Sequence, residues 1–123
     1  DDLLMANMDA RLIIQVLVNL INNAIKYTPE NSNISLNARR VEDKILIEVQ
    51  DDGNGVLHPD QLFEMFYTEN NRGGDTRRGM GLGLSLCKSI IQSHGGTIWV
   101  ENVTPHGACF KFVLDAVEVK LYE

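Results

Sequence analysis

The chain of 123 residues is 44% hydrophobic and 23% charged, the arithmetic of one compact domain able to bury its own core. A formal net charge of −6 excludes the broad basic face on which a nucleic-acid binder gathers phosphates, and no stretch approaches the ~20 apolar residues of a membrane span. Two cysteines, Cys87 and Cys109, are too few for a disulfide framework and lack the paired spacing of a zinc site, which leaves them as small apolar residues of a reducing, cytoplasmic compartment.

The first strong element runs from Asp9 to about Tyr27. Asp9 can cap a helix start, and Leu12, Ile13, Val16, Leu17, Leu20 and Ala24 then recur at helical period as a broad apolar face. Gln15, Asn19, Asn22, Asn23 and Lys26 form a polar stripe beside it, and Thr28-Pro29 ends the helix because a residue before proline avoids the α region. Ile34–Ala38 and Ile45–Gln50 alternate at period two and read as strands, joined by a turn over Val41 to Lys44. Asp51-Asp52-Gly53-Asn54-Gly55 stops the second strand. His58-Pro59-Asp60 opens a short helical piece carrying Leu62, Phe63 and Phe66.

Residues 68–80 hold three arginines (Arg72, Arg77, Arg78) and almost no apolar side chain, a loop of lid length. A second helix is expected from Leu84 to about Ser93, ending at Gly95-Gly96. A closing hairpin pairs Thr97–Val103 with Ala108–Leu114 around Pro105-His106-Gly107. Strands and helices in this order predict a mixed sheet with helices on one face.

Two glycine clusters and the polar stripe carry the chemistry. Gly79-x-Gly81-x-Gly83 entering a helix is a turn, a hinge or a place where free backbone amides approach an anion. It is neither a Walker A loop, having no Gly-Lys-Ser/Thr, nor a dinucleotide fingerprint, having no strand directly before it. Asp51-x-Gly53-x-Gly55 is a strand-ending turn or a base pocket, in which a carboxylate accepts a hydrogen bond from an exocyclic amine and the glycines admit a flat ring. Asn19, Asn23 and Lys26 project from one side of the first helix, where Glu and Lys are the usual choice because asparagine is a mediocre helix former. Amide oxygens there can complete the shell of a Mg²⁺ already held by phosphate oxygens, and a lysine one turn on can neutralise a phosphate.

With these pieces in this order, the sequence resembles the ATP-binding catalytic domain of bacterial two-component sensor histidine kinases, of the superfamily that includes gyrase, heat-shock chaperone ATPases and mismatch-repair MutL proteins. Asn19-Leu-Ile-Asn-Asn23-Ala-Ile-Lys26-Tyr27-Thr28-Pro29 is similar to the N box, and Asp51-Asp-Gly53-Asn-Gly55 to the first glycine box. Phe63-Glu-Met-Phe66-Tyr67 is similar to the F box, and Gly79-Met-Gly81-Leu82-Gly83-Leu-Ser85 to the second glycine box. The resemblance covers nearly the whole chain. It implies an α+β two-layer sandwich over residues 1–123, with a mixed, mostly antiparallel sheet of about five strands, about three helices on one face and a mobile ATP lid over about 68–80.

The resemblance also implies roles. Asn23 would ligate Mg²⁺, supported by Asn19; Lys26 would meet phosphate and Tyr27 would line the nucleotide. Asp51 would read the adenine amine in a pocket shaped by Gly53 and Gly55. Gly79, Gly81, Leu82 and Gly83 would hinge the lid and contact the phosphates. Hydrolytic relatives carry a glutamate where this chain has Asn19, and an amide cannot take a proton from water at neutral pH, so the γ-phosphoryl would be kept for another acceptor. That acceptor would be a histidine on a dimerisation domain, followed by a response regulator. His58, His94 and His106 lack the setting of such a histidine. The domain alone would be a monomer within a dimeric parent, itself possible as an inner-membrane protein with this domain on the cytoplasmic side. Two departures stand out: Thr68 replaces the usual basic residue after the F box, and Ala108 the usual Thr or Ser after Gly107. A superfamily ATPase, an anti-sigma-type serine kinase and a non-catalytic nucleotide sensor are the competing readings.

Overall fold

The structure, a computed structural model, describes residues 8–28, 31–64 and 82–116. Its elements in order are α1 (Ala10–Tyr27), β1 (Ile34–Val41), β2 (Lys44–Asp51), α2 (Leu82–Ser93), β3 (Thr97–Asn102) and β4 (Ala108–Asp115). The strands form one sheet in the order β1-β2-β4-β3, every pair antiparallel. The α+β two-layer class is as expected. The count is not: among the described residues there are four strands and two helices, and the sheet is antiparallel rather than mixed.

Helix α1 starts where the capping chemistry requires, with the Asp9 carboxylate accepting from the amides of Arg11 and Leu12. It stops at Thr28, which takes extended dihedrals (φ −114°, ψ 149°) as a residue before proline must, while its hydroxyl donates to the Ala24 carbonyl at 2.7 Å. Ile13, Val16, Leu20 and Ala24 are buried and Leu17 is half-buried, but Leu12 is exposed, since the core-facing arc is narrower than the apolar stripe. Helix α2 begins earlier than expected, at Leu82, which brings Gly83 inside its first turn. As far as Glu64, where the described residues end, the expected helical piece after His58 is a run of turns, with hydrogen bonds from Gln61 N to His58 O and Glu64 N to Gln61 O.

The two helices lie on one sheet face and run antiparallel. The Asp9 amide donates to His94 at the end of α2, and the Cys87 thiol points at the Val16 carbonyl. The core is filled between the layers by Ile13, Val16, Leu20, Cys87 and Ile91 from the helices and by Val49, Val100, Phe110, Phe112 and Leu114 from the sheet. Phe63 meets Phe110 edge to face, with ring centroids 6.1 Å apart. Strand β1 breaks the expected alternation: all eight residues are exposed, because the core under the helix pair is built on β2, β4 and the other edge strand, β3.

Candidate nucleotide-binding site

Two residues of the expected site carry buried polar atoms without a partner. Asp51, the last residue of β2, is 1% exposed. Its Oδ1 accepts from two backbone amides, Gly53 at 2.9 Å and Ala108 at 3.3 Å, whereas its Oδ2 is buried with no hydrogen-bond partner. A carboxylate oxygen in that state costs free energy unless a donor arrives from outside. The Asn23 side-chain nitrogen is the second such atom.

Local packing brings these residues to one end of the molecule. Thr28, at the end of α1, stands over the turn after Asp51: a Cβ added to Gly53 would lie 2.8 Å from Thr28 Cγ2 and 3.2 Å from Asp51 Oδ1. The last turns of α1, with Asn23 and Lys26, therefore run up to the strand end that holds Asp51. On the other side, the Asn19 side chain hydrogen-bonds the Cys87 sulfur, whose thiol is pushed up to about 11 chiefly by burial, against the smaller opposing pull of that bond. One turn further along each antiparallel helix, Asn23 comes level with the first turn of α2. Gly83 sits there, and among the described residues a Cβ on it would meet nothing within 4 Å, so their packing does not require a glycine at that place. The first turn of α2 has no acidic residue, so no side chain of that turn offsets its positive dipole end. Lys26, half-buried in the last turn of α1, also sits where a cation favours the negative end of that helix.

Gly55 (φ +80°) and Gly107 (φ +120°) both need the conformational freedom of glycine. At Gly107 a Cβ would also strike the Asp51 carbonyl oxygen at 2.3 Å, so the last hairpin can press against the Asp51 backbone only here. The substitution of Ala108 for a hydroxyl residue leaves the backbone amide of that residue on Asp51 Oδ1. Gly79, Gly81, the side chains of Tyr27 and Leu82, the residues Phe66, Tyr67, Thr68, Arg72, Arg77 and Arg78, and the lid expected over 68–80 lie outside the described residues.

Three residues outside the expected set help build the site: Thr28 packs against Gly53, Cys87 bonds Asn19, and Asn102 bonds the backbone of Val56. His94 bridges the Asp9 amide to the Ile90 carbonyl at the opposite end of the helix pair. Asn102 continues the register of Ile98 and Val100, but it is exposed at the end of the strand, so its position alone demanded no partner. Cys87 and Thr28 carried no sequence signal either, since a buried cysteine and a helix stop satisfy their positions without any reference to a site.

Residues 8–118 match the family described as histidine kinase-, DNA gyrase B- and HSP90-like ATPases. The chain belongs to that family. Among curated relatives of this ATPase domain, the sensor protein KdpD of Clostridium acetobutylicum is 40% identical over 114 residues, which are 91% of this chain and 13% of KdpD. The adaptive-response sensory kinase SasA of Crocosphaera subtropica is 46% identical over 110 residues, 86% of this chain and 28% of SasA. The chain thus spans a minor part of the curated relatives it matches. Among solved structures, the catalytic domain of histidine kinase ThkA superposes with a TM-score of 0.75 at 34% identity, covering 89% of this chain and 70% of that one. The mycobacterial sensor histidine kinase MprB shares the fold, with a TM-score of 0.80 at 22% identity over 92% of this chain and 76% of its own.

The donor set suits a nucleotide better than a bare metal ion. Among the described residues no three of His, Cys, Asp and Glu gather to hold a cation by themselves. The buried, unpartnered Asn23 atom is the amide nitrogen, which can only donate and so suits an anionic oxygen; a cation already held by phosphates could use only the amide oxygen beside it. No helix of the described residues is long and apolar enough to cross a membrane.

Proposed function

We propose that this chain binds Mg²⁺-ATP and serves as the catalytic domain of a sensor histidine kinase, donating the γ-phosphoryl to a histidine on an adjoining dimerisation domain. The observation that carries this reading is Asp51, whose Oδ1 is saturated by two backbone amides while its buried Oδ2 awaits a donor. The exocyclic amine of adenine supplies one; guanine presents a carbonyl at the same place and is repelled. Gly53 and Gly55 let Thr28 and Asn102 close on the turn after Asp51, and in this reading they shape the wall of the base pocket.

Asn23 would contribute an amide oxygen to Mg²⁺, which supplies charge neutralisation at the phosphates when bound. Lys26 would stabilise the phosphate end, and the first turn of α2, with Gly79, Gly81, Leu82 and Gly83, would offer backbone amides to it. Tyr27 would line the nucleotide. Asn19, half-buried and bonded to Cys87, is no base: its amide cannot take a proton from water, which supports phosphoryl transfer over hydrolysis. These residues act by positioning and charge, the two contributions that phosphoryl transfer needs most.

The wider arrangement follows from the same reading. Residues 1–123 would form one domain of a longer, dimeric, cytoplasm-facing kinase whose partners are its own phosphoacceptor domain and a response regulator. ThkA, 33% identical, has been solved in complex with its response regulator TrrA, which supports that last partner. The test mixes this chain with Mg²⁺-ATP and the phosphoacceptor hairpin of its parent. Acid-labile phosphohistidine on the hairpin is expected. Acid-stable phosphoserine, or phosphate release by this chain alone at a comparable rate, would contradict the reading.

A further inference from the structure

The turn that follows Asp51 is held by more than its own glycines. Asn102, at the end of β3, uses both ends of its amide on one residue: its Oδ1 accepts from Val56 N at 2.7 Å and its Nδ2 donates to Val56 O at 2.9 Å. The side chain thus imitates a neighbouring strand for a residue that belongs to none, and Val56 is buried beneath it. The fit is close, since a Cβ on Gly55 would lie 2.6 Å from Asn102 Oδ1.

These contacts close a ring around the carboxylate. Asp51 Oδ1 takes the Gly53 amide; the chain runs from Gly53 to Val56; Val56 is clasped by Asn102; Asn102 pairs in register with Ala108; and the Ala108 amide returns to Asp51 Oδ1. Every other link of the ring is backbone or Asp51 itself. The Asn102 side chain is the added link.

We propose that Asn102 is a positioning residue for base recognition: by clasping Val56 it fixes the Gly53–Gly55 turn, and through the shared amides it holds the unpartnered oxygen of Asp51 where an exocyclic amine can reach it. This rests on the reading of Asp51 as the adenine contact. An amide of this length is the required group. Alanine removes both bonds, and aspartate keeps the bond from Val56 N but sets a carboxylate oxygen against the Val56 carbonyl.

The experiment measures affinity of the full chain for ATP and for purine riboside triphosphate, which lacks only the 6-amino group, together with hydrogen exchange at the Val56 amide. For the unaltered chain a preference for ATP of about tenfold or more is expected, the value of one hydrogen bond to a charged acceptor. In Asn102→Ala the Val56 amide loses protection and the preference falls to about threefold or less, more than the loss in affinity for the desamino nucleotide itself. Asn102→Asp, close in size and suited to cases where alanine disturbs folding, gives the same fall in preference. A full preference retained in folded Asn102→Ala with Val56 unprotected, or in folded Asn102→Asp, overturns the role of Asn102 while leaving Asp51 in place. No preference in the unaltered chain overturns the reading of Asp51, and the proposal with it.

Discussion

The two faces of the sheet treat their polar groups in opposite ways. On the outer face Glu48 sits between Arg39 at 3.5 Å and Lys111 at 3.7 Å, Lys111 reaches Glu101 at 2.9 Å, and the Trp99 indole N–H donates to Glu101 at 2.8 Å. Each of these charges finds its complement one strand away, as cross-strand pairs do when their task is to hold a sheet. At the inner end of the same strands Asp51 is far more deeply buried, where an unmet bond costs more, and yet one of its oxygens has no partner. A buried oxygen left open, on a sheet whose outer-face charges are paired, is what the proposed contact with an exocyclic amine would require.

That contrast can be broken at several points. The largest effect is expected at Gly53→Ala. The added Cβ meets Thr28 Cγ2 at 2.8 Å and crowds Asp51 Oδ1, so about 1–3 kcal/mol of stability and most of the nucleotide affinity should go together, as thermal unfolding and calorimetric titration would record. Asn23→Ala separates the two properties. It removes an unpartnered buried polar atom, so stability should hold or rise slightly, while the gain in ATP affinity given by Mg²⁺ should vanish. Equal binding with and without Mg²⁺ in the unaltered chain would remove the metal role of Asn23.

The helix seam makes a smaller, pH-dependent contribution. The Cys87 thiol is pushed from an ordinary 9.0 up to about 11 by burial, so the folded chain keeps a proton that the unfolded chain releases. That contribution to stability is complete below pH 9 and is lost as pH rises towards 11, on the order of 1–2 kcal/mol. A Cys87→Ala variant should show a flatter stability profile across that window. The smallest effect belongs to the outer face: Glu48→Gln should cost at most about 1 kcal/mol and leave nucleotide affinity unchanged. A large loss of affinity there would show that the two faces are coupled.

Much of this contrast was legible in the sequence, and its limits have physical causes. Asp9 as cap, Thr28 as stop and the Ile13, Val16, Leu20 and Ala24 stripe follow from local rules that tertiary structure does not overturn. Asn19, Asn23, Lys26 and Asp51 could be singled out because asparagines on a helix and an Asp-Gly turn are costly or specific choices. The edge position of β1 could not be read, because alternation marks a strand without saying whether a helix covers it. Nor could the strand count, since the resemblance suggested a fifth strand and a mixed sheet that the described residues do not contain. Asn102 and Cys87 were missed for a further reason: their partners, Val56 and Asn19, lie far away in sequence and are brought near only by the fold.

If the open oxygen of Asp51 is a recognition group, Asp51→Asn removes its function. The carboxamide can still accept the Gly53 and Ala108 amides through its oxygen, but it turns an N–H₂ towards the place where the adenine amine would donate. Titration of this variant with a non-hydrolysable ATP analogue should show affinity reduced about tenfold or more, with the unfolding temperature close to that of the unaltered chain. Affinity equal to that of the unaltered chain would contradict the account.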